Sequence, residues 1–193
     1  MPENPVLIIG GGPAGLEAAR GVADLGYPVT LVEKEDRLGG TPIHCDYAAL
    51  TPNMVNAEEA MGAMVKKIEN DPLIDIRTST EITTASGNAP ELQVTLKGQS
   101  GEEQLNAGSV IVATGFKHFD PGKETQMYGY YEFDDVITLV DTERMLKAGK
   151  FVRPSTGEPP KQVCFIQCVG SRDRQIGNQW CSKAVSYTHL TLP

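Results

Sequence analysis

The sequence of 193 residues predicts an α/β fold with a parallel sheet and a small antiparallel β-meander. A short apolar run, a helical pattern and a second β-rich run follow one another at the start of the chain, as in a βαβ unit. A glycine-rich turn stands between the first run and the helix. Further along, apolar and polar residues alternate, which is typical of antiparallel strands with one buried face.

The βαβ unit consists of three segments. Val6–Ile9 is a short apolar run, as expected of a strand buried on both faces. The next segment, Pro13–Leu25, predicts a helix that Gly26 ends. Pro28–Lys34 predicts the second strand. The apolar residues of the helix recur at helical spacing: Leu16, Ala19, Val22 and Ala23.

A second helix and a third strand follow the βαβ unit. Asn56–Glu69 predicts a helix because Asn56 can cap it and Glu59 stands three residues on, a loose capping box. Pro72 marks the exit of the chain from this helix. Leu73–Thr80 predicts the third strand.

The later part of the chain predicts a meander and one more helix. Glu91–Gly98 alternates apolar and polar residues, and Gln104–Gly115 returns as a strand. Asp141 is expected to cap a short helix that ends at Gly149. Gln162–Gly170 predicts a further strand, which follows a segment rich in proline and glycine.

Charge and composition exclude several classes of protein. A formal net charge of −8 argues against nucleic acid or an anionic membrane surface as the main partner. No stretch approaches the roughly 18 apolar residues that span a bilayer, and the amino terminus lacks the pattern of a secretory signal. We therefore expect a cytoplasmic protein without direct membrane insertion. The four cysteines are too few and too unevenly placed for a disulfide scaffold.

The turn between the first strand and the helix fits the phosphate-binding pattern G-x-G-x-x-G. Gly10 permits the tight turn, Gly12 lets the backbone approach a pyrophosphate, and Gly15 lets the helix pack closely on the strand. Pro13 and Ala14 complete the turn, where free N–H groups and the helix dipole favour phosphate.

Glu33 ends the second strand, 23 residues after Gly10. A carboxylate at this position can accept hydrogen bonds from both hydroxyls of an adenosine ribose, and it would repel a 2′-phosphate. The pattern therefore disfavours an NADP-type ligand. The alternative is a solvated charge at the end of a strand.

Three motifs in order, the glycine turn, "EKEDRLGG" and "VIVATG", resemble the FAD domain of the two-dinucleotide-binding flavoproteins, the group with glutathione reductase and thioredoxin reductase. The resemblance spans residues 6–116. It implies that FAD is the ligand and that Gly39 and Gly40 also approach its pyrophosphate. The implied cofactor-binding set is completed by Lys34 beside Glu33, by Ile82 against the adenine, and by Ala113, Thr114 and Gly115 near the flavin.

The first two cysteines give no redox pair and no metal site. Cys45 has no second cysteine nearby, so the Cys-x4-Cys pair of the disulfide reductases in this group is missing. Beside His44 it is either a reactive thiol or an incidental neighbour. Cys164 and Cys168 would lie roughly 13 Å apart on an extended strand, too far to share a metal ion, and Cys164 is expected in the core.

The stretch "CVGSRDRQIGNQWCSK" resembles the A-subunit family of the heterodisulfide reductases, together with the related flavoprotein subunits of the quinone-interacting membrane-bound oxidoreductase. The upstream "YGYYEFDDVITLVDTERMLKAG" resembles the same family. The resemblance implies an iron–sulfur cluster held by Cys-x12-Cys-x3-Cys-Cys. Cys168 and Cys181 match the first two positions, whereas Val185 and Ser186 stand at the other two. The ligand set is therefore partial here, and the cluster is expected in the full-length protein. A zinc site would need two further ligands, and His189 is the only nearby candidate.

The predicted domains follow from these resemblances. Residues 1–150 are assigned to a Rossmann-like FAD-binding domain, residues 151–161 to a linker, and residues 162–184 to the start of a second, truncated domain with the iron–sulfur segment. Residues 185–193 abandon the preceding pattern and are expected to be a non-native tail on a fragment.

The resemblance implies an FAD-dependent oxidoreductase subunit that relays electrons between flavin and iron–sulfur centres, with other subunits of an electron-transfer complex as partners. One alternative is an NAD(P)H-dependent flavin or disulfide reductase, which needs a second G-x-G-x-x-G that this chain lacks. Another is an FAD-binding fragment that turns nothing over. No residue is identified as a dedicated acid or base, so the catalytic residues, the electron donor and the acceptor stay open.

Overall fold

A computed structural model describes residues 4–123 and 128–181. The chain divides into two compact units, residues 1–116 and residues 117–193. The strands are β1 (Val6–Ile9), β2 (Val29–Val32), β3 (Ala49–Leu50), β4 (Val55–Asn56), β5 (Ile74–Arg77), β6 (Glu81–Asn88), β7 (Glu91–Gly98), β8 (Gly101–Ala107) and β9 (Ser109–Val112). The helices are α1 (Pro13–Asp24), α2 (Thr41–His44), α3 (Ala57–Lys66) and α4 (Leu139–Lys147).

The centre of the first unit is a parallel sheet with strand order β5-β2-β1-β9. Val6 of β1 lies opposite Val29 of β2 and Ser109 of β9, and every pair in this sheet is parallel. A separate antiparallel sheet, β6-β7-β8, forms the meander. The predicted α/β class, with its parallel sheet and antiparallel meander, is therefore confirmed.

Two hydrophobic clusters cover opposite faces of the parallel sheet, because successive side chains of a strand point to opposite sides. Ile8 and Leu31 belong to the cluster with the helices, where Leu16 of α1 is buried. Leu7 and Val32 belong to the cluster with the meander. The buried members on the helix side are Ile8, Leu16, Ala19, Val29, Leu31 and Ile68, and those on the meander side are Leu7, Val32, Val94, Leu96 and Ala107.

The predicted strand 104–115 is wrong as a single element. Its first part is β8 of the meander and its second part is β9 of the parallel sheet, with Gly108 between them. The N–H of Gly108 donates to the carbonyl of Pro5 at 2.9 Å, which turns the chain towards β1. Ala107 is buried against the meander, so the apolar pattern continues through the break and hides it.

The two amino-terminal caps predicted for α3 and α4 differ in outcome. Asn56 caps α3, since its side chain accepts the N–H of Glu59 at 3.2 Å. The predicted cap of α4 is wrong: Thr138 is the cap, and Asp141 is the third helical residue. These two side chains each accept the other's backbone N–H, which is a capping box.

Asn56→Ala is expected to lower the free energy of unfolding by about 1 kcal/mol, because the N–H of Glu59 loses its acceptor. Urea denaturation measures the change. Asn70→Ala is the matched control, at an exposed position after α3 with no side-chain hydrogen bond to the described residues. Its effect should stay within about 0.5 kcal/mol. Equal losses in the two variants would contradict the capping role.

The second unit contains α4 and turns held by polar contacts. The Asp135 carboxylate accepts hydrogen bonds from the backbone N–H and hydroxyl of Ser155 and from Nε of Arg153. These donors, the Ser155 N–H first among them, lower the pKa of Asp135. Among the described residues, no helix is long and apolar enough to cross a bilayer.

The predicted strand 162–170 is not formed, because the described part of the second unit offers this segment no strand to pair with. Cys164 is accordingly exposed, and its predicted place in a core is wrong. The predicted tail 185–193, with Val185, Ser186 and His189, lies outside the described residues.

Candidate functional site

The turn between β1 and α1 is closed by two glycines that leave no room for a side chain. Gly10 has a φ of +109°, a conformation that favours glycine, and a Cβ there would overlap the carbonyl oxygen of Ala113. A Cβ at Gly15 would overlap the carbonyl oxygen of Gly10. The start of α1 therefore packs directly on the turn, and the turn packs directly on the residue that follows β9.

Gly12 differs from these two glycines because a Cβ would fit there without overlap. It caps α1 with φ −79° and ψ −177°, and a Cβ there would meet only Cα of Gly40, at 3.6 Å. Pro13 is the first helical residue and has no N–H. The N–H of Leu16 is the first to bond back, to the carbonyl of Gly12 at 2.9 Å. The N–H groups of the two residues before Leu16 have no backbone acceptor among the described residues and can serve a ligand.

The Glu33 side chain lies at the carboxyl end of β2 and is buried, with 6% of its surface exposed. Its Oε2 accepts the N–H of Gly11 at 2.6 Å, and its Oε1 accepts the N–H of Glu35 at 3.0 Å. The alternative of a solvated charge is therefore wrong. Lys34 is exposed and forms an ion pair with Glu35 at 3.2 Å.

The second glycine pair lies against the first turn. Gly39 and Gly40 have φ values of +118° and +60°. The N–H of Gly39 donates to the carbonyl of Gly11 at 2.8 Å, and a Cβ at Gly40 would come within 2.6 Å of Cα of Gly12. The pair predicted from "EKEDRLGG" and the G-x-G-x-x-G turn therefore form one continuous backbone surface.

Ala113, Thr114 and Gly115 leave the sheet beside this surface. The N–H of Ala113 donates to the carbonyl of Ile9 at 2.8 Å, and the two residues that follow are exposed. Ile82 is half-buried and packs on the meander cluster. Its predicted contact with an adenine stays a prediction.

Gly11 is the site residue that motif reasoning misses, since it occupies a variable position of G-x-G-x-x-G. Its N–H and carbonyl both bond within the site, to Glu33 and Gly39. A Cβ at Gly11 would lie 2.5 Å from Cδ2 of Leu38. The available signal was the run of three glycines from Gly10 to Gly12.

Cys168 and Cys181 lie at the two ends of one loop in the second unit. Cys168 has a φ of +59°, and its carbonyl accepts the N–H of Ser171. Cys181 lines a pocket of about 370 Å³ with Gly170 and Ser171. Two thiolates are half of the four that a cluster takes. The described residues include no group of three metal-ligating side chains, so they do not complete a cluster site.

Comparison with known proteins places the chain among oxidoreductases. Residues 4–150 match the family described as pyridine nucleotide-disulphide oxidoreductase. The chain is 30% identical to the A subunit of the ferredoxin/F(420)H(2)-dependent CoB-CoM heterodisulfide reductase of Methanosarcina acetivorans, over 92% of this chain and 32% of that protein. It is 31% identical to the A subunit of the H(2):CoB-CoM heterodisulfide,ferredoxin reductase of Methanothermobacter marburgensis, over 94% of this chain and 39% of that protein. The chain spans about a third of the length of these relatives.

A solved structure supports the fold alone. The L-proline dehydrogenase from P. horikoshii matches with a TM-score of 0.52 at 24% identity, over 58% of this chain and 22% of that chain. The curated relatives confirm the resemblance to the A subunits of heterodisulfide reductases that the cysteine-containing stretch predicted. Because the family match covers most of its length, the chain belongs to the pyridine nucleotide-disulphide oxidoreductase family.

Proposed function

We propose that the first unit binds FAD, and that the chain belongs to an FAD-dependent oxidoreductase subunit that relays electrons between flavin and iron–sulfur centres in a heterodisulfide reductase-like complex. The observation that carries this proposal is the backbone surface of Gly12 and Gly40, which bears no side chains and lies beside the buried carboxylate of Glu33. A phosphate and a ribose are neighbours in a dinucleotide, and this site offers a place for each.

The pyrophosphate is assigned to the amino terminus of α1. Unbonded N–H groups and the helix dipole both favour an anion there. The lack of a side chain at Gly12 lets oxygen atoms reach the backbone, and Gly40, which also has no side chain, packs directly against Gly12 and extends the same surface. The residues present therefore fit a pyrophosphate.

The adenosine ribose is assigned to Glu33. A carboxylate has about four acceptor positions, and the N–H groups of Gly11 and Glu35 take two of them. The other two can accept the ribose hydroxyls. A 2′-phosphate would meet a buried negative charge, so the site favours an unphosphorylated ribose.

FAD is favoured over NAD by the residues around the turn. The pair Gly39–Gly40 extends the phosphate surface, and Ala113 to Gly115 provide a bare, partly exposed strand end beside it. FAD, when bound, supplies chemistry that links two-electron and one-electron carriers. The protein's part is to hold the dinucleotide and leave the flavin side open.

The partners are inferred from the relatives, whose names describe them as subunits of heterodisulfide reductases acting with ferredoxin. We propose other subunits of such a complex as partners and a cytoplasmic location. Cys168 and Cys181 would supply two of the ligands of the cluster in the full-length protein.

The test is reconstitution of the purified chain with FAD, followed by gel filtration. We expect flavin absorbance to remain with the protein, without the broad absorbance of an iron–sulfur cluster. FAD at a hundred times its Kd should stabilise the fold by about 2.7 kcal/mol, which raises the Tm by about 10 °C. NADP at the same concentration should give a smaller shift. A colourless protein whose Tm ignores FAD would refute the proposal.

A further inference from the structure

We propose that the Glu33 carboxylate is also a positioning residue, which holds the phosphate turn in its binding conformation before any ligand arrives. This inference rests on the proposed dinucleotide site. It assigns Glu33 a second role that is independent of the ribose hydroxyls.

Both oxygens of the carboxylate are engaged with the backbone of the chain itself. One oxygen accepts the N–H of Gly11 at 2.6 Å, and the other accepts the N–H of Glu35 at 3.0 Å. The side chain is 6% exposed, so water cannot readily replace it as acceptor for these two donors. Removing the carboxylate would leave the buried N–H of Gly11 and the half-buried N–H of Glu35 without their acceptors.

Gly11 links the Glu33 carboxylate to both parts of the proposed phosphate-binding surface, the turn at Gly12 and the pair Gly39–Gly40. Its N–H is held by Glu33, and its carbonyl is held by the N–H of Gly39 at 2.8 Å. Leu38 closes the remaining space beside its Cα. Since Gly12 is the next residue and Gly40 follows Gly39, the carboxylate fixes the position of the two glycines that form the backbone surface proposed for the pyrophosphate.

A glutamine cannot replace the carboxylate in this arrangement. Its amide has one oxygen to accept a hydrogen bond, whereas its NH₂ group can only donate. One of the two backbone N–H groups would then face another donor. Glu33→Gln should therefore loosen the turn, and Glu33→Ala should loosen it further.

The test compares two ligands, ADP and 2′,3′-dideoxy-ADP, by calorimetric titration of the full chain. The second ligand lacks both ribose hydroxyls. A residue that acts only through those hydroxyls therefore contributes nothing to the affinity for this ligand. We expect Glu33→Gln to weaken 2′,3′-dideoxy-ADP about tenfold and Glu33→Ala to weaken it more. Asp36→Asn is the matched control, because it removes an exposed carboxylate from the same loop. It should leave the affinity unchanged.

A second measurement uses the wild-type protein and does not depend on the folding of a variant. Without ligand, the N–H groups of Gly11 and Glu35 should exchange slowly with solvent deuterium, and that of Ala14 should exchange rapidly. Rapid exchange at Gly11, or Glu33 variants that bind the dideoxy ligand like wild type, would overturn the inference alone. A wild-type protein that binds neither FAD nor ADP would overturn the proposed function and this inference with it.

Discussion

Gly15→Ala is expected to lower the free energy of unfolding of the first unit by about 3 kcal/mol or more, and to abolish FAD binding. A Cβ at this position would overlap the carbonyl oxygen of Gly10. That oxygen belongs to backbone held in place by β1, so a change of rotamer cannot relieve the overlap. The helix must move away from the sheet, which costs more than ordinary overpacking of side chains.

Gly21→Ala is the matched control for this prediction. Gly21 lies on the same helix, and a Cβ there would meet nothing within 4 Å. Alanine is the better helix former, so this variant should gain about 0.5–1 kcal/mol. Urea denaturation of the two variants measures both effects. A Gly15→Ala protein as stable as wild type would contradict the close packing of α1 on the turn.

Gly12→Ala is expected to leave the fold intact and to weaken FAD binding about a hundredfold. The backbone of Gly12, with φ −79° and ψ −177°, is open to any residue, and the new methyl would touch only Cα of Gly40. The methyl would instead occupy the space through which phosphate oxygens reach the backbone. Losing one or two charge-assisted hydrogen bonds of about 1.5–3 kcal/mol each accounts for the size of the effect.

Fluorescence titration with FAD measures this affinity, and circular dichroism checks that the variant is folded. The Gly21→Ala protein serves as the control here too, and it should bind FAD like wild type. An alanine at position 12 with wild-type affinity would place the pyrophosphate elsewhere.

The βαβ unit and its glycine-rich turn could be predicted because their signals are local. Short apolar runs, a proline at the start of α1 and Gly10, Gly12 and Gly15 at fixed spacing describe neighbouring residues, and such patterns survive without knowledge of the rest of the fold. Asn56 was likewise recognisable as a cap because its partner lies three residues away.

The remaining features depend on contacts between distant residues. The break at Gly108 is set by its bond to Pro5 and by the free side of β1, neither of which alternation can reveal. β6 is largely exposed and polar, so it lacked the apolar pattern of a strand and forms because β7 pairs with it. The bond between the Glu33 carboxylate and the N–H of Gly11 required a residue 22 positions earlier to be brought beside it.

The alternation along β1 and β2 has a consequence for how the first unit melts. Leu7 packs in the cluster with the meander, whereas its neighbour Ile8 packs in the cluster with the helices. Val32 and Leu31 likewise belong to the meander cluster and the helix cluster, respectively. Neither layer can detach without exposing to water the central strands on which the other layer packs, so we expect the first unit to unfold as one cooperative block. We therefore expect a dinucleotide bound at the proposed site to stabilise the whole block, and to slow hydrogen exchange by global unfolding even at distant amides of the meander, to an extent set by the ratio of free ligand to Kd.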